Sequence, residues 1–187
     1  MATTTWKIDA AHTDVGFSTK HMMVTTVRGR FTDVDGTITV DEENPTTAAV
    51  EIKVRTASVE TGSDKRDAHL RSADFFDAEH YPEIAVKVSS IEHVSGDDYK
   101  VTADLTIRDT TRPLSLKVRN LGFYQGFQGR RVGFEATATL NREDWGLTYN
   151  MALEAGGWVV GKDIKLQIDL AADQVGETGV KAAPIAA

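Results

Sequence analysis

Hydrophobic and polar residues alternate with a period of two along most of this chain, a pattern typical of half-buried β-strands. Valine, isoleucine and threonine dominate these segments and favour extended backbone. Turn-forming pairs such as Asp35-Gly36 and Gly156-Gly157 lie between them. We therefore predict about eight to ten strands, joined mostly by hairpin-length links into an antiparallel sheet. The alternating segments are Asp14–Met22, Ala48–Val54, Ile84–Ile91, Tyr99–Ile107, Leu114–Val118, Val132–Leu140 and Ile164–Leu170.

One segment, near residues 63–79, breaks the alternation and predicts a short helical insertion. Ser63 is suited to cap the N-terminus of a helix, and Asp64 would lie in its first turn, where the helix dipole favours acidic residues. We expect the helix to span Asp64–Arg71. Pro82 then returns the chain to extended backbone. A single helical insertion in a long antiparallel sheet suggests a lid or plug on a barrel.

The length of 187 residues is typical of one domain. We assign residues 1–170 to a β-barrel domain. Residues 171–187 alternate little and are rich in glycine and alanine, so we assign them to a C-terminal tail. A long antiparallel sheet must protect its edges, and closure does so. The chain is therefore predicted to be all-β, with a barrel of about eight strands that either fills with side chains or holds one ligand.

Composition excludes several classes of function. The formal net charge of −7 and the isoelectric point near 5.2 argue against nucleic acid as a partner. The absence of cysteine excludes disulfides, thiolate nucleophiles, iron–sulfur clusters and cysteine-ligated zinc. No stretch approaches the ~20 apolar residues of a membrane span. The first residues, MATTTW, lack the features of a signal peptide, so we expect a cytoplasmic protein unless a leader has been removed.

Large apolar side chains are the first candidates for a binding site. Each of them could equally belong to an ordinary core. Phe75 and Phe76 are less easily explained in that way, because two adjacent aromatic residues on a short turn cannot both enter one small core. We expect at least one of them to cover an opening or to contact a partner. The apolar candidates are Phe17, Met23, Phe31, Leu70, Phe75, Phe76, Phe134 and Trp145.

Polar candidates are few, and none forms a recognised catalytic or metal-binding motif. His21 alternates onto the same face as Phe17, and is either a buried structural histidine or a contact to the head group of a ligand. Arg66 and His69 are neighbours on one face of the predicted helix. They form either a solvated face or a positive rim that binds an anionic head group. We predict no catalytic residue, no metal and no cofactor.

Several segments of the chain, taken in order, resemble the YceI-like family. The opening segment looks like that family's D-x-x-H-S-x-V-x-F-x-x-x-H-M, with Thr13 where serine is usual. A later segment looks like its T-G-x-x-x-R-D-x-H-L followed by D-F-F. Arg108-Asp109 departs from the family pattern. The matching segments are Asp9–Met22, Gly29–Phe31 with Gly36, Thr61–Leu70, Asp74–Phe76, Tyr81-Pro82, Asp104–Ile107 and Asn141–Gly146.

This resemblance implies an extended lipocalin-like antiparallel β-barrel with a helix inserted in mid-chain. It implies a non-catalytic protein that holds a long-chain amphiphile such as a polyisoprenoid, a quinone or a fatty amphiphile. It also implies that the protein can form a homodimer. His21, Arg66 and His69 are then expected at the polar end of the ligand. Two alternatives stay open. One is a lipid-acting hydrolase or isomerase with His21 or His69 as acid–base. The other is a stress-related interaction module whose barrel is filled.

Overall fold

The computed structural model describes residues 2–178, which form eleven strands and one α-helix. The helix, α1, spans Asp64–Arg71, and 3-10 turns occur at Ala10–His12, Pro45–Thr47, Thr56–Ser58 and Arg142–Trp145. The strands are β1 (Thr3–Ile8), β2 (Asp14–His21), β3 (Thr25–Phe31), β4 (Val34–Asp41), β5 (Ala49–Arg55), β6 (Val59–Glu60), β7 (Glu83–Ser95), β8 (Asp98–Ile107), β9 (Thr110–Gly126), β10 (Gly129–Asn141) and β11 (Asp163–Thr178).

The sheet closes into an antiparallel barrel of eight strands. Its order is β1-β4-β5-β7-β8-β9-β10-β11, and β1 pairs again with β11. Residues 165–169 of β11 pair with β2, and residues 172–178 of the same strand pair with β1. β1 and β2 therefore lie end to end along one edge of β11. β2 and β3 then form a hairpin that extends the wall at one end of the barrel. The all-β class, the antiparallel pairing and the barrel of about eight strands are confirmed.

The wall is interrupted at one end, and α1 lies beside the interruption. β6 pairs with β3, whereas β7 pairs with β5 instead of β6. The chain between β6 and β7 contains α1, which begins as predicted with the Ser63 side chain accepting a hydrogen bond from the Arg66 amide. Arg71 Nε donates to the Ala57 carbonyl at 2.8 Å and so ties the helix to the wall. The helical insertion is confirmed.

Two groups of buried side chains line the inside of the barrel. The larger group surrounds Phe31, Val59 and Leu105 and lies nearer α1. The smaller group contains Trp6, Ile38, Val132 and Ala172. Trp6 is 1% exposed, and its indole Nε1 donates to Thr4 Oγ1 at 2.9 Å, so its one polar atom is satisfied. Among residues 2–178, no helix is long and apolar enough to cross a membrane.

β11 extends past residue 170 into the segment that the sequence assigns to a tail. The strand continues to Thr178, and its residues 172–178 pair with β1. Ala172 is fully buried and packs with Trp6. Ala172 is therefore part of the barrel's buried interior. Residues 179–187 of the predicted tail lie outside the described residues.

The predicted turn at Asp35-Gly36 is wrong, because both residues lie within β4. Gly36 is small for a packing reason. A Cβ atom at Gly36 would lie 2.6 Å from the Glu51 carbonyl oxygen on β5, and 2.9 Å from Cδ1 of Ile8. Gly36 therefore allows β4 and β5 to pair at this point.

We expect Gly36→Ala to lower the free energy of unfolding by about 1–3 kcal/mol, because backbone must move to admit the methyl group. Urea denaturation followed by far-UV circular dichroism measures this change. Gly133→Ala is the matched control, since a Cβ atom there meets only Leu121 side-chain atoms at 3.6 Å. Equal stability of the two variants would contradict the packing argument.

Candidate functional site

An apolar cavity of about 520 Å³ occupies the lumen of the barrel. Its wall consists of the inward-facing residues of the long strands, which are almost all aliphatic or aromatic. Many of these residues are only half-buried although they face inward, because protein side chains do not fill the space between them. Examples are Val86, Val88, Leu116, Phe134, Ile168 and Leu170. A wall of this kind suits the hydrocarbon part of a ligand.

The helical segment closes one end of the lumen. Leu70, Phe75 and Phe76 all line the cavity. The Phe76 ring meets the Phe31 ring edge-on, with centroids 5.5 Å apart. The two adjacent phenylalanines therefore both face inward, although two neighbouring rings on a short turn were not expected to enter one small core. The tight turn after α1, in which the Phe75 amide donates to the Ser72 carbonyl, sets their directions, and the lumen is wide enough for both rings.

Arg142 is a buried cation at this closed end, and sequence reasoning did not select it. Its side chain lines the lumen and is held by backbone carbonyls. Nε donates to Gly161 at 2.8 Å and Nη1 to Leu147 at 2.6 Å. Burial lowers the pKa of this guanidinium. The available signal was its position directly after the alternating strand β10. Through these bonds Arg142 holds Leu147 and Gly161, which are 14 residues apart in the segment after β10, close together at the closed end of the lumen.

The opposite end of the lumen is its mouth, where lining residues are exposed. Glu42, Pro45 and Phe123 line the cavity and are also open to solvent. Arg130 spans this end: its Nη1 and Nη2 atoms donate to the two Glu42 carboxylate oxygens at 2.8 and 3.0 Å. The same guanidinium lies 5.3 Å from the centre of the Trp6 ring and 4.8 Å from that of Phe123.

The Arg130–Glu42 pair fixes a negative and a positive charge at the mouth. The hydrogen bond from Arg130 is the largest cause that lowers the pKa of the Glu42 carboxyl, and partial burial opposes it. Thr4 Oγ1 donates to the same carboxylate at 3.0 Å and lowers the pKa further. Sequence reasoning did not find this pair, because its members are 88 residues apart. The mouth is thus the polar end of an otherwise apolar site.

The structure brings together the apolar members of the predicted site and separates most of the polar ones. Those that line the lumen are Phe17, Phe31, Leu70, Phe75, Phe76 and Phe134, and those that do not are His21, Met23, Arg66, His69 and Trp145.

Arg66 and His69 do not form a rim of the lumen. Arg66 turns back on its own segment, where Nε donates to Thr61 Oγ1 at 2.6 Å. His69 Nε2 lies 2.8 Å from Asp74 Oδ2, and its ring meets the Tyr149 ring edge-on. Both polar groups are therefore engaged outside the cavity.

The other three residues are separated from the lumen for different reasons. His21 lies two residues beyond Thr19, the last residue of β2 that lines the cavity. Met23 is 63% exposed on the turn between β2 and β3, with a left-handed φ of 68°. Trp145 is 3% exposed, but it belongs to the packed core, where Nε1 donates to the Leu105 carbonyl at 2.9 Å.

A second concavity, of about 960 Å³, lies on the outer surface across β9, β10, β11, β2 and β3. It is wide open, and polar and charged side chains such as Ser18, Thr137 and Lys165 make up most of its lining. It offers no enclosed apolar surface. The lumen is therefore the better candidate for a site that binds an apolar ligand.

Comparisons with known proteins agree with this architecture. The model of a family described as the YceI-like domain matches residues 6–172. Protein YceI from Escherichia coli is 37% identical over 147 residues, covering 76% of this chain and 75% of that protein. The Campylobacter jejuni YCEI crystal structure is 29% identical with a TM-score of 0.71, covering 90% of this chain and 96% of its own.

A more distant structure shares the fold. A domain from Saccharophagus degradans, described as polyisoprenoid binding and implicated in plant cell wall breakdown, superposes with a TM-score of 0.66. It is 17% identical and the match covers 91% of this chain and 98% of that one.

We expect Glu42→Gln to reduce the acid sensitivity of the fold. Folding lowers the pKa of the Glu42 carboxyl from its ordinary value of 4.5, so the ionised carboxylate stabilises the protein at pH values above 4.5. This contribution is lost as the pH falls through the pKa of the folded state. The difference in unfolding free energy between wild type and Glu42→Gln should therefore be constant above about pH 5.5 and shrink below pH 4.5. Urea titrations at several pH values measure it, and Glu43→Gln, at the exposed neighbouring position, is the control. A difference that stays constant down to pH 3 would contradict the role of the pair.

Proposed function

This chain belongs to the YceI-like family, and on that premise we propose that it binds a long-chain isoprenoid-type lipid or a similar amphiphile without transforming it. The observation that carries the proposal is the closed barrel with an apolar lumen of about 520 Å³. This volume falls in the range of about 300–1,000 Å³ that is usual for sites that bind small molecules.

Burial of hydrocarbon would supply the affinity. At ~25 cal/mol per Å², a chain that loses ~300 Å² of apolar surface to the lumen gains about 7.5 kcal/mol before the cost of ordering the ligand is subtracted. The aromatic rings of Phe17, Phe31 and Phe134 give the wall a large contact area. Polyisoprenoids, quinones with an isoprenoid tail and fatty amphiphiles all have a long hydrocarbon chain that could be buried in this way.

The polar end of the ligand is proposed to lie at the mouth. Glu42 and Asn120 line that end, and Arg130 bridges to Glu42 across it. A head group there can accept from Asn120 or exchange hydrogen bonds with the ion pair while remaining near water. His21, Arg66 and His69, the polar contacts expected from the sequence, are not used in this arrangement because none of them lines the lumen.

The alternatives have less support. A hydrolase or isomerase with His21 or His69 as acid–base would need that histidine beside the bound chain, and neither ring lines the cavity. An interaction module with a filled barrel does not agree with the open lumen. The cytoplasmic location and the homodimer stay predictions. Light scattering on the purified protein measures its molar mass in solution and so tests the homodimer.

Native mass spectrometry of protein purified without detergent, followed by organic extraction and lipid analysis, tests the function directly. We expect one amphiphile per chain in the wild type. Ala136 lines the lumen on β10, so Ala136→Trp should occlude it and lower the bound lipid by about tenfold. Thr137→Trp is the matched control, because the next residue on the same strand is exposed on the outer face.

Two outcomes would contradict the proposal. One is a wild type that is free of lipid after gentle purification and takes up none from added amphiphile. The other is an Ala136→Trp protein that has the wild-type circular dichroism spectrum and retains as much lipid as Thr137→Trp. An extracted lipid that the wild type converts to a product on incubation would instead favour the enzyme.

A further inference from the structure

The hairpin between β9 and β10 extends past the end of β8, beside the mouth. The ladder between β8 and β9 ends where Asp98 pairs with Arg119. Beyond that point, residues 122–126 of β9 pair with β10 alone, and Leu121 lies at a bulge in this ladder. We call residues 120–129 the mouth ribbon. Its β9 residues have no strand neighbour on the side opposite β10.

Large apolar side chains of the mouth ribbon are exposed to solvent. Phe127, at the tip, is fully exposed, and Leu121, Phe123 and Tyr124 are each at least half exposed. These four residues lie within seven positions, with Phe123 on the face toward Trp6 and the adjacent Tyr124 on the opposite face, so this end of the ribbon is apolar on both faces, as at an interaction site. Tyrosine and phenylalanine at a tip are suited to the boundary between water and hydrocarbon, because their rings are apolar and rigid.

The mouth ribbon carries no charge. Residues 120–129 are the longest stretch of the sequence without Asp, Glu, Lys or Arg, in a chain in which 26% of residues are charged. The arginines that flank it are already paired with carboxylates: Arg119 with Asp98, and Arg130 with Glu42. The surface is therefore suited to an uncharged apolar medium rather than to an anionic partner.

The mouth ribbon is also continuous with the lumen. Phe123 and Asn120 line the cavity and belong to the ribbon. The Phe123 ring lies 5.5 Å from the Trp6 ring inside the barrel and is itself 50% exposed. Phe123 therefore belongs both to the lumen wall and to the ribbon.

We propose that the mouth ribbon inserts into the surface of a zwitterionic lipid bilayer and presents the mouth of the lumen to it. The inference rests on the proposed function, since a long-chain amphiphile resides in bilayers and must otherwise cross water to reach the lumen. Contact through the ribbon places the hydrocarbon of the bilayer next to Phe123 and removes that crossing. The net charge of −7 and the pairing of both flanking arginines make attraction to anionic lipid unfavourable.

Sedimentation with sucrose-loaded phosphatidylcholine vesicles tests the proposal on the full chain. We expect the wild type to bind, with little change between low and high salt and no gain when phosphatidylglycerol is added. Phe127→Ser should weaken the partition coefficient by about tenfold, since one buried aromatic side chain is lost. Phe127→Trp should bind like the wild type. Met151→Ser is the matched control, because Met151 is 57% exposed at the other end of the barrel.

Three outcomes would overturn the proposal: no binding by the wild type, equal binding by Phe127→Ser, or binding that requires anionic lipid and disappears in salt. A wild-type dimer that Phe127→Ser converts to a monomer, without vesicle binding, would assign the ribbon to contact between copies and equally overturn it. Native mass spectrometry separates this test from that of the lumen. Phe127→Ser should keep the wild-type lipid content, whereas Ala136→Trp should lose lipid and keep vesicle binding.

Discussion

The structure depends on the double pairing of β11. One edge of this strand pairs with β10 over residues 163–173, and the other edge pairs with β2 and then with β1. This closes a sheet that would otherwise leave two long edges exposed to other chains. Closure also turns one face of every strand into the wall of a lumen, so the alternation of apolar and polar residues becomes an inside and an outside.

Much of the fold could be predicted from the sequence, because alternation and helix capping are local signals. The helix that Ser63 caps is an example. Features set by close approach between distant segments could not be predicted. Gly36 resembles a turn residue until β5 is placed beside it, and Ala172 resembles part of a tail until Trp6 is packed against it. Small residues carry little information about periodicity, so their role emerges only from the register of the strands.

The residues of the candidate site also fall into those that local alternation identifies and those that depend on contacts between distant segments. Phe17 and Phe134 could be selected because they are large residues on an alternating face, and that face becomes the lumen. His21 has the same alternation but lies past the end of the cavity, since periodicity gives the face of a strand and not the depth of the barrel. The Arg130–Glu42 pair could not be found, because closure alone brings β10 and the end of β4 to the same mouth.

The interruption between β6 and β7 has a consequence for how proteins with this architecture diverge. In a fully closed barrel the size of the interior follows from the number and stagger of the strands, so a change of capacity disturbs every ladder. Here a helix and a turn, held by Arg71 and carrying Phe75 and Phe76, form one end of the lumen. Insertions or deletions within residues 61–82 can deepen or shorten the interior while the register of the strands is preserved. The depth of the lumen is thus a trait that can change separately from the stability of the sheet.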